Sequence, residues 1–146
     1  MLKKYYDYDT FVQDCKSISQ TLNNKNHDTI IAIARGGVTF GHFLSSLLDI
    51  RKLYTINAIS YNDTTKMNSI TISNIPDLSN SSKVLIADDI IDSGDTMAEI
   101  VKILQEKYPK VEFETVALFY KKDAKVQPTY QTKIANCWIE FFWEKL

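Results

Sequence analysis

Twice along the chain, a short apolar run rich in β-branched residues stops at a glycine-bearing turn and gives way to a stripe at helical spacing. The first run is Thr29 to Ala34, halted by Arg35-Gly36-Gly37 and followed by Phe43, Leu44, Leu47 and Leu48. The second is Val84 to Ala87, which meets Asp88-Asp89-Ile90-Ile91 and the loop Asp92-Ser93-Gly94-Asp95-Thr96 before Met97, Ile100, Val101 and Leu104 repeat at i, i+3, i+4 and i+7. Strands this apolar have no wet face. Alternating with helices, they imply an α/β fold with a mostly parallel, twisted sheet flanked by helices on both faces.

The remaining pattern fits that frame. Phe11, Cys15, Ile18 and Leu22 predict an amphipathic first helix capped by Asp9 and Thr10. Leu53 to Tyr61 reads as a strand, Ser69 to Ile72 as a short one, and Phe113 to Phe119 as a long buried one. Ile134 and the aromatic run Trp138 to Trp143 form a last β-like stretch. With 146 residues and 45% hydrophobic content, the chain suits a single domain, residues 1–146, around one core. Ligands of such sheets gather beyond the carboxyl ends of the strands. Arg35-Gly36-Gly37, Asp88-Asp89 and the segment after Phe119 all fall there.

Charge and cysteines exclude more than they specify. The 17 Lys and Arg against 18 Asp and Glu leave no global field for nucleic acid or a membrane surface, so an anionic ligand needs a local site. No apolar run is long enough to span a bilayer and no signal core opens the chain, which points to the cytoplasm. Cys15 and Cys137 lack metal-ligand spacing and read as reduced, idle thiols. His27 and His42 show no partner pattern.

The loop from Asp92 to Thr96 joins a strand end to a helix start, where unpaired backbone N–H groups can hold a phosphate. Thr96 and Glu99 also have the spacing of a capping box, a purely structural use. The adjacent acids decide between these uses. Asp88 and Asp89 are acceptor-only when ionised, suited to vicinal sugar hydroxyls or to hydrated Mg²⁺, and unsuited to phosphate itself. A sugar phosphate satisfies both halves. Neither a Walker loop nor a G-x-G-x-x-G turn is present.

VLIADDIIDSGDTM, Val84 to Met97, resembles the phosphoribosyl pyrophosphate signature of type I phosphoribosyltransferases. IAIARGGVTFG resembles that family's pyrophosphate loop, LFYKK its base-contacting lysine and CWIEFFWE its aromatic hood over the base. The last two are similar to the bacterial xanthine-guanine branch. The resemblance implies that Asp88 and Asp89 serve the ribose hydroxyls and Mg²⁺, and that Ser93, Gly94, Asp95 and Thr96 surround the 5′-phosphate. Asp95 is then expected to face the ligand with its backbone N–H and water with its side chain. Arg35 and Gly36 contact pyrophosphate across a strained or cis peptide, and Asp92 exchanges a proton with purine N7. Lys121 donates to a 6-oxo group, with Lys122 beside it as a competing register. Trp138 stacks on the base, Ile139 offers backbone groups to its edge, and Glu144 accepts from a 2-amino group.

The implied reaction is Mg²⁺-dependent transfer of phosphoribosyl to guanine, xanthine or hypoxanthine by a homodimer or homotetramer, with residues 62–72 as a lid. Two alternatives stand beside it. One is a regulatory binding protein that keeps the donor site as a sensor; the other is the same reaction on adenine or a pyrimidine.

Overall fold

The computed structural model describes residues 2–61 and 69–146. In chain order the elements are β1 (Lys3–Tyr6), α1 (Tyr8–Leu22), β2 (Thr29–Ala34), α2 (Val38–Leu48), β3 (Lys52–Tyr61) and β4 (Ser69–Ser73). They continue with β5 (Lys83–Ile91), α3 (Asp95–Lys107), β6 (Glu112–Tyr120), β7 (Lys133–Ile134), β8 (Trp138–Phe141) and a short 3₁₀ turn, Phe142–Glu144. A six-stranded sheet runs β4-β3-β2-β5-β6-β7, parallel throughout except for β4, which returns antiparallel on β3. The α/β, mostly parallel architecture is the expected one.

The pleat sorts the apolar runs into two cores. Ile30 and Leu85, opposite one another on β2 and β5, face Phe11, Phe40 and Leu44 of α1 and α2. Their neighbours Ile31 and Ile86 face the other way, onto Met97, Ile100 and Leu104 of α3. All these side chains are buried. At roughly 1.5–3 kcal/mol for each fully buried aliphatic or aromatic side chain, both faces must be covered for the sheet to be stable. The helix between β2 and β3 lies on one face and the helix between β5 and β6 on the other. Connections therefore diverge from the β2–β5 pair, opening a crevice at its carboxyl end.

Several local expectations are corrected. The cap of α1 is Asp7, whose carboxylate accepts from Thr10 N–H at 2.7 Å, so Asp9 and Thr10 lie inside the first turn. β5 does not stop at Ala87: it carries Asp88 and Asp89 within the strand as far as Ile91. The Thr96–Glu99 capping box does not form, because α3 begins on Gly94 with no side-chain cap. The β-like run at the end divides, with β7 joining the main sheet and β8 pairing in parallel with β1 in a separate two-stranded sheet. β1 has no counterpart among the predicted strands, since KKYY is too short and polar to signal one. The proposed lid, residues 62–72, lies partly outside the described residues; its end from Ser69 is β4.

Candidate functional site

β2 pairs with β5 only as far as Ala32 opposite Ala87, and β5 then continues beside β6 alone. The two acids occupy this overhang, under the turn that ends β2. A Cβ on Gly36 would collide with the Asp89 carboxylate, and one on Gly37 would sit 2.7 Å from the Ala87 carbonyl and 2.9 Å from Asp88 Cα. The Arg-Gly-Gly turn is glycine-rich because it lies on the acids. The cis peptide joins Ala34 to Arg35, one bond earlier than the expected Arg35–Gly36 bond.

Asp88 Oδ1 accepts from Asp89 N–H at 2.8 Å, and Asp89 Oδ1 accepts from Ile90 N–H at 2.7 Å. These bonds do not compensate for burial. Burial first, and then the charge of Asp89, push the Asp88 carboxyl well above its usual range. Burial also raises Asp89, against the pull of its own hydrogen bonds. Among the described residues neither acid has an ion-pair partner. A pair of half-buried carboxylates without a cation is chemically a site for one, or for hydroxyl donors.

Beyond the acids, the loop turns on Gly94, whose φ of +89° is left-handed. A side chain there would also strike the backbone N of Val126 at 2.8 Å. Ser93 Oγ accepts from Asp95 N–H at 3.2 Å. Ser93 and Thr96 stay at the mouth of a helix start whose N-cap, Gly94, offers no side chain to the N–H groups beyond Asp95. The Asp95 carboxylate, expected to face water, instead pairs with Lys125 Nζ, 2.7 Å away.

A cleft of about 650 Å³ opens beside the acids, lined in part by Asp89, Asp92, Lys121, Trp138, Ile139 and Glu144. It gathers every expected base-contacting residue. Asp92 Oδ1 lies 3.0 Å from Lys121 Nζ, and of the two adjacent lysines it is Lys121 that lines the cleft. Trp138 is 55% exposed, a large aromatic left uncovered on a strand, whereas the Ile139 side chain is buried. Trp138 N–H donates to the carbonyl of Leu2, the residue before β1. In that parallel ladder the intervening residue, Ile139, turns its own N–H and C=O away from β1. Burial, then Asp89, then Glu140 raise the Glu144 carboxyl above its usual range.

The cleft also includes Asn136 and Cys137, which sequence reasoning missed. Cys137 is therefore not an idle interior thiol, unlike Cys15, whose burial pushes it up to about 12. Arg35, Asp88 and the Ser93–Thr96 loop do not line this cleft but adjoin it through Gly36 and Asp92. Donor-type and acceptor-type residues thus form two neighbouring subsites that share Asp89 and Asp92. His27 is likewise not without a partner: it is buried, with Nε2 2.8 Å from Glu114 Oε1, at the opposite end of the sheet.

Comparison with known proteins gives a consistent result. The phosphoribosyl transferase domain family matches residues 1–144. The chain is 29% identical to the xanthine-guanine phosphoribosyltransferase of Cereibacter sphaeroides, over 96% of this chain and 86% of that protein. The Helicobacter pylori xanthine-guanine-hypoxanthine phosphoribosyltransferase structure superposes with a TM-score of 0.91 at 38% identity, covering 98% of this chain and 94% of that one. A purine phosphoribosyltransferase from Pyrococcus horikoshii superposes at 0.85 with 27% identity, covering 98% and 95%.

Proposed function

The chain belongs to the phosphoribosyl transferase domain family, and from that premise we propose that it is a purine phosphoribosyltransferase acting on 6-oxopurines. One observation carries the acceptor class: Asp92 Oδ1 and Lys121 Nζ stand 3.0 Å apart in the cleft. Side by side, an acceptor and a donor match the N7–H and O6 of a 6-oxopurine edge. A 6-amino group would bring donor against donor at Lys121. Across the cleft, Trp138 offers a stacking face, Ile139 backbone groups and Glu144 an acceptor for a 2-amino substituent.

Phosphoribosyl pyrophosphate lies with its 5′-phosphate on the loop Ser93-Gly94-Asp95-Thr96, its ribose hydroxyls toward Asp88 and Asp89, and its pyrophosphate toward Arg35 and Gly36. The C1–oxygen bond to pyrophosphate breaks as purine N9 attacks C1, and the N7 proton passes to Asp92. Arg35 stabilises the charge that grows on the leaving group. The unpaired, half-buried acids fit Mg²⁺. Among the described residues no cluster of three or more ligating side chains exists, so the ion would keep waters and donor oxygens as its other ligands. When bound, it offsets negative charge on pyrophosphate.

Among the described residues no helix is long and apolar enough to cross a membrane. The two free thiols support a cytoplasmic setting, and the assembly proposed, a homodimer or homotetramer, rests on the family resemblance alone. The deciding experiment supplies phosphoribosyl pyrophosphate and Mg²⁺ with guanine, xanthine, hypoxanthine, adenine or uracil. Pyrophosphate release is expected with 6-oxopurines alone. Release with adenine or uracil would overturn the acceptor class, and no release with any base would overturn the reaction.

A further inference from the structure

The segment after β6 is latched to the phosphate loop at four points. Lys121 N–H donates to the Ile91 carbonyl at 2.9 Å and Lys125 N–H to the Ser93 carbonyl at 2.8 Å. Two ion pairs join the same segments, Lys121 to Asp92 at 3.0 Å and Lys125 to Asp95 at 2.7 Å. The Gln127 side-chain amide donates to the Lys121, Lys122 and Ala124 carbonyls and so holds the turn that carries both lysines. The missing Gly94 side chain leaves room for the Lys125 and Val126 backbone. Lys121 belongs to the base subsite, but nothing so far accounts for Lys125.

Asp95 makes that lysine necessary. It is the first residue of α3; its own N–H donates to Ser93 Oγ, but its carboxylate is attached at the mouth of the helix start where the following N–H groups would face a phosphate. A dianionic phosphate entering there meets a negative charge on the cradle itself. We propose that Lys125 is a positioning residue for donor binding: it holds the Asp95 carboxylate off the phosphate position and cancels its charge. The inference rests on the phosphoribosyl-transfer reading and adds a residue from outside the signature loop. Two observations agree with it. The ion pair is the shorter of the two across the latch, and the hydrogen bond and charge of Lys125 hold the Asp95 carboxyl below its usual range.

The test combines steady-state kinetics with calorimetric binding of ribose 5-phosphate, on the wild type, Lys125→Ala, Asp95→Asn and the double variant. Lys125→Ala should raise the donor KM and the ribose 5-phosphate Kd by roughly five- to tenfold, the scale of unit charges a few ångströms apart in a wet site. Its kcat and its KM for the base should stay near wild type. Asp95→Asn in the same chain should restore both donor constants, and the Lys125→Ala penalty should shrink as ionic strength rises. Lys125→Arg should behave as wild type.

A Lys125→Ala penalty that Asp95→Asn does not reverse would overturn the inference, since the lysine would then contact the donor or merely tie the loop. No penalty at all would overturn it equally. Should the wild type bind ribose 5-phosphate with this pattern yet turn over no base, the transfer reading fails and the role of Lys125 stands. Absence of both binding and turnover would overturn both.

Discussion

The two ends of the parallel sheet carry similar residue types in opposite conditions. At the amino ends of β2, β5 and β6, His27, Asp28, Lys83, Glu114 and Tyr130 form a closed network. Glu114 Oε1 receives Tyr130 OH at 2.7 Å, faces His27 Nε2 at 2.8 Å and lies 3.4 Å from Lys83 Nζ. Asp28 accepts from the Thr29 hydroxyl at 2.7 Å and from Ser82 N–H at 2.9 Å. At the carboxyl ends, among the described residues, Asp88 and Asp89 bond neighbouring backbone N–H groups and have no ion-pair partner, and burial raises both carboxyls. Here burial with partners marks structure, and burial without them marks a place reserved for something else.

Substitutions that exchange the roles of the two ends would break this contrast. The largest effect is expected at the carboxyl end. Asp92→Asn should reduce kcat by about 10²–10⁴, the usual worth of a positioned acid or base, with thermal stability and donor KM close to wild type. Equal losses in kcat and in donor affinity would show that Asp92 binds rather than transfers a proton. The amino end should respond in the opposite sense. Glu114→Ala leaves the Tyr130 hydroxyl and His27 Nε2 without their acceptor, and denaturant unfolding should show a loss of about 1–3 kcal/mol. The kcat of the folded fraction should not change. A large fall in kcat would mean that the two ends are coupled.

This contrast also explains what could be read from the sequence. The sheet and its two helix-covered faces were legible because Ile30, Ile31, Leu85 and Ile86 lie in runs whose only solution is burial on both sides. The position of Asp88 to Thr96 between a buried strand and a helix was legible from the apolar run, the glycine and the helical stripe, while the roles assigned to those residues came from the resemblance of VLIADDIIDSGDTM to a family signature. The strand β1 was not legible, since Lys3–Tyr6 gains its pairing from β8, more than a hundred residues away. His27 and Glu114 are 87 positions apart, and the partnership of Asp95 with Lys125 depends on how the turn after β6 folds back. The cap of α1 went to Asp7 because the helix begins one turn before its first apolar stripe residue. Partners brought together by topology leave no local periodicity.

A smaller effect separates the cost of the acid pair from its use. Burial raises the folded-state pKa of Asp88, so its contribution to stability is present in full below the unfolded value of 3.8 and is lost as pH rises through the folded value. Once ionised, the pair therefore works against the fold. Asp88→Asn should raise the melting temperature at pH 7, weaken donor binding and flatten the stability profile on the alkaline side of 3.8. A lower melting temperature would show that the carboxylate has a stabilising partner after all, and would remove the case for a cation at that position.

The smallest effect belongs to His27. Burial leads the causes that lower its pKa below 6.5, while the Glu114 hydrogen bond works in the other direction. The geometry explains the sign. Glu114 is held below its usual range: burial opposes ionisation, but the bonds from Tyr130 and His27 outweigh it. It is thus an acceptor, and neutral His27 must place its proton on Nε2. Among the described residues, that leaves Nδ1 buried and without a partner. As a bare lone pair this is tolerable; as an N–H in the imidazolium it would be a buried donor with no acceptor. Protonation therefore favours the unfolded chain, and the His27 contribution, complete above 6.5, is lost as pH falls from 6.5 toward the folded value. Chemical denaturation of wild type and His27→Gln between pH 7.5 and about 5 should show wild type losing stability relative to the variant as pH falls, the difference changing by less than the about 1.4 kcal/mol per pH unit that one full proton gives. His27→Gln keeps an amide N–H toward Glu114 and cannot titrate, while the raised Asp88, Asp89 and Glu144 carboxyls act alike in both proteins and cancel. A difference that does not change with pH would mean that His27 is not the acid-sensitive group of the amino end.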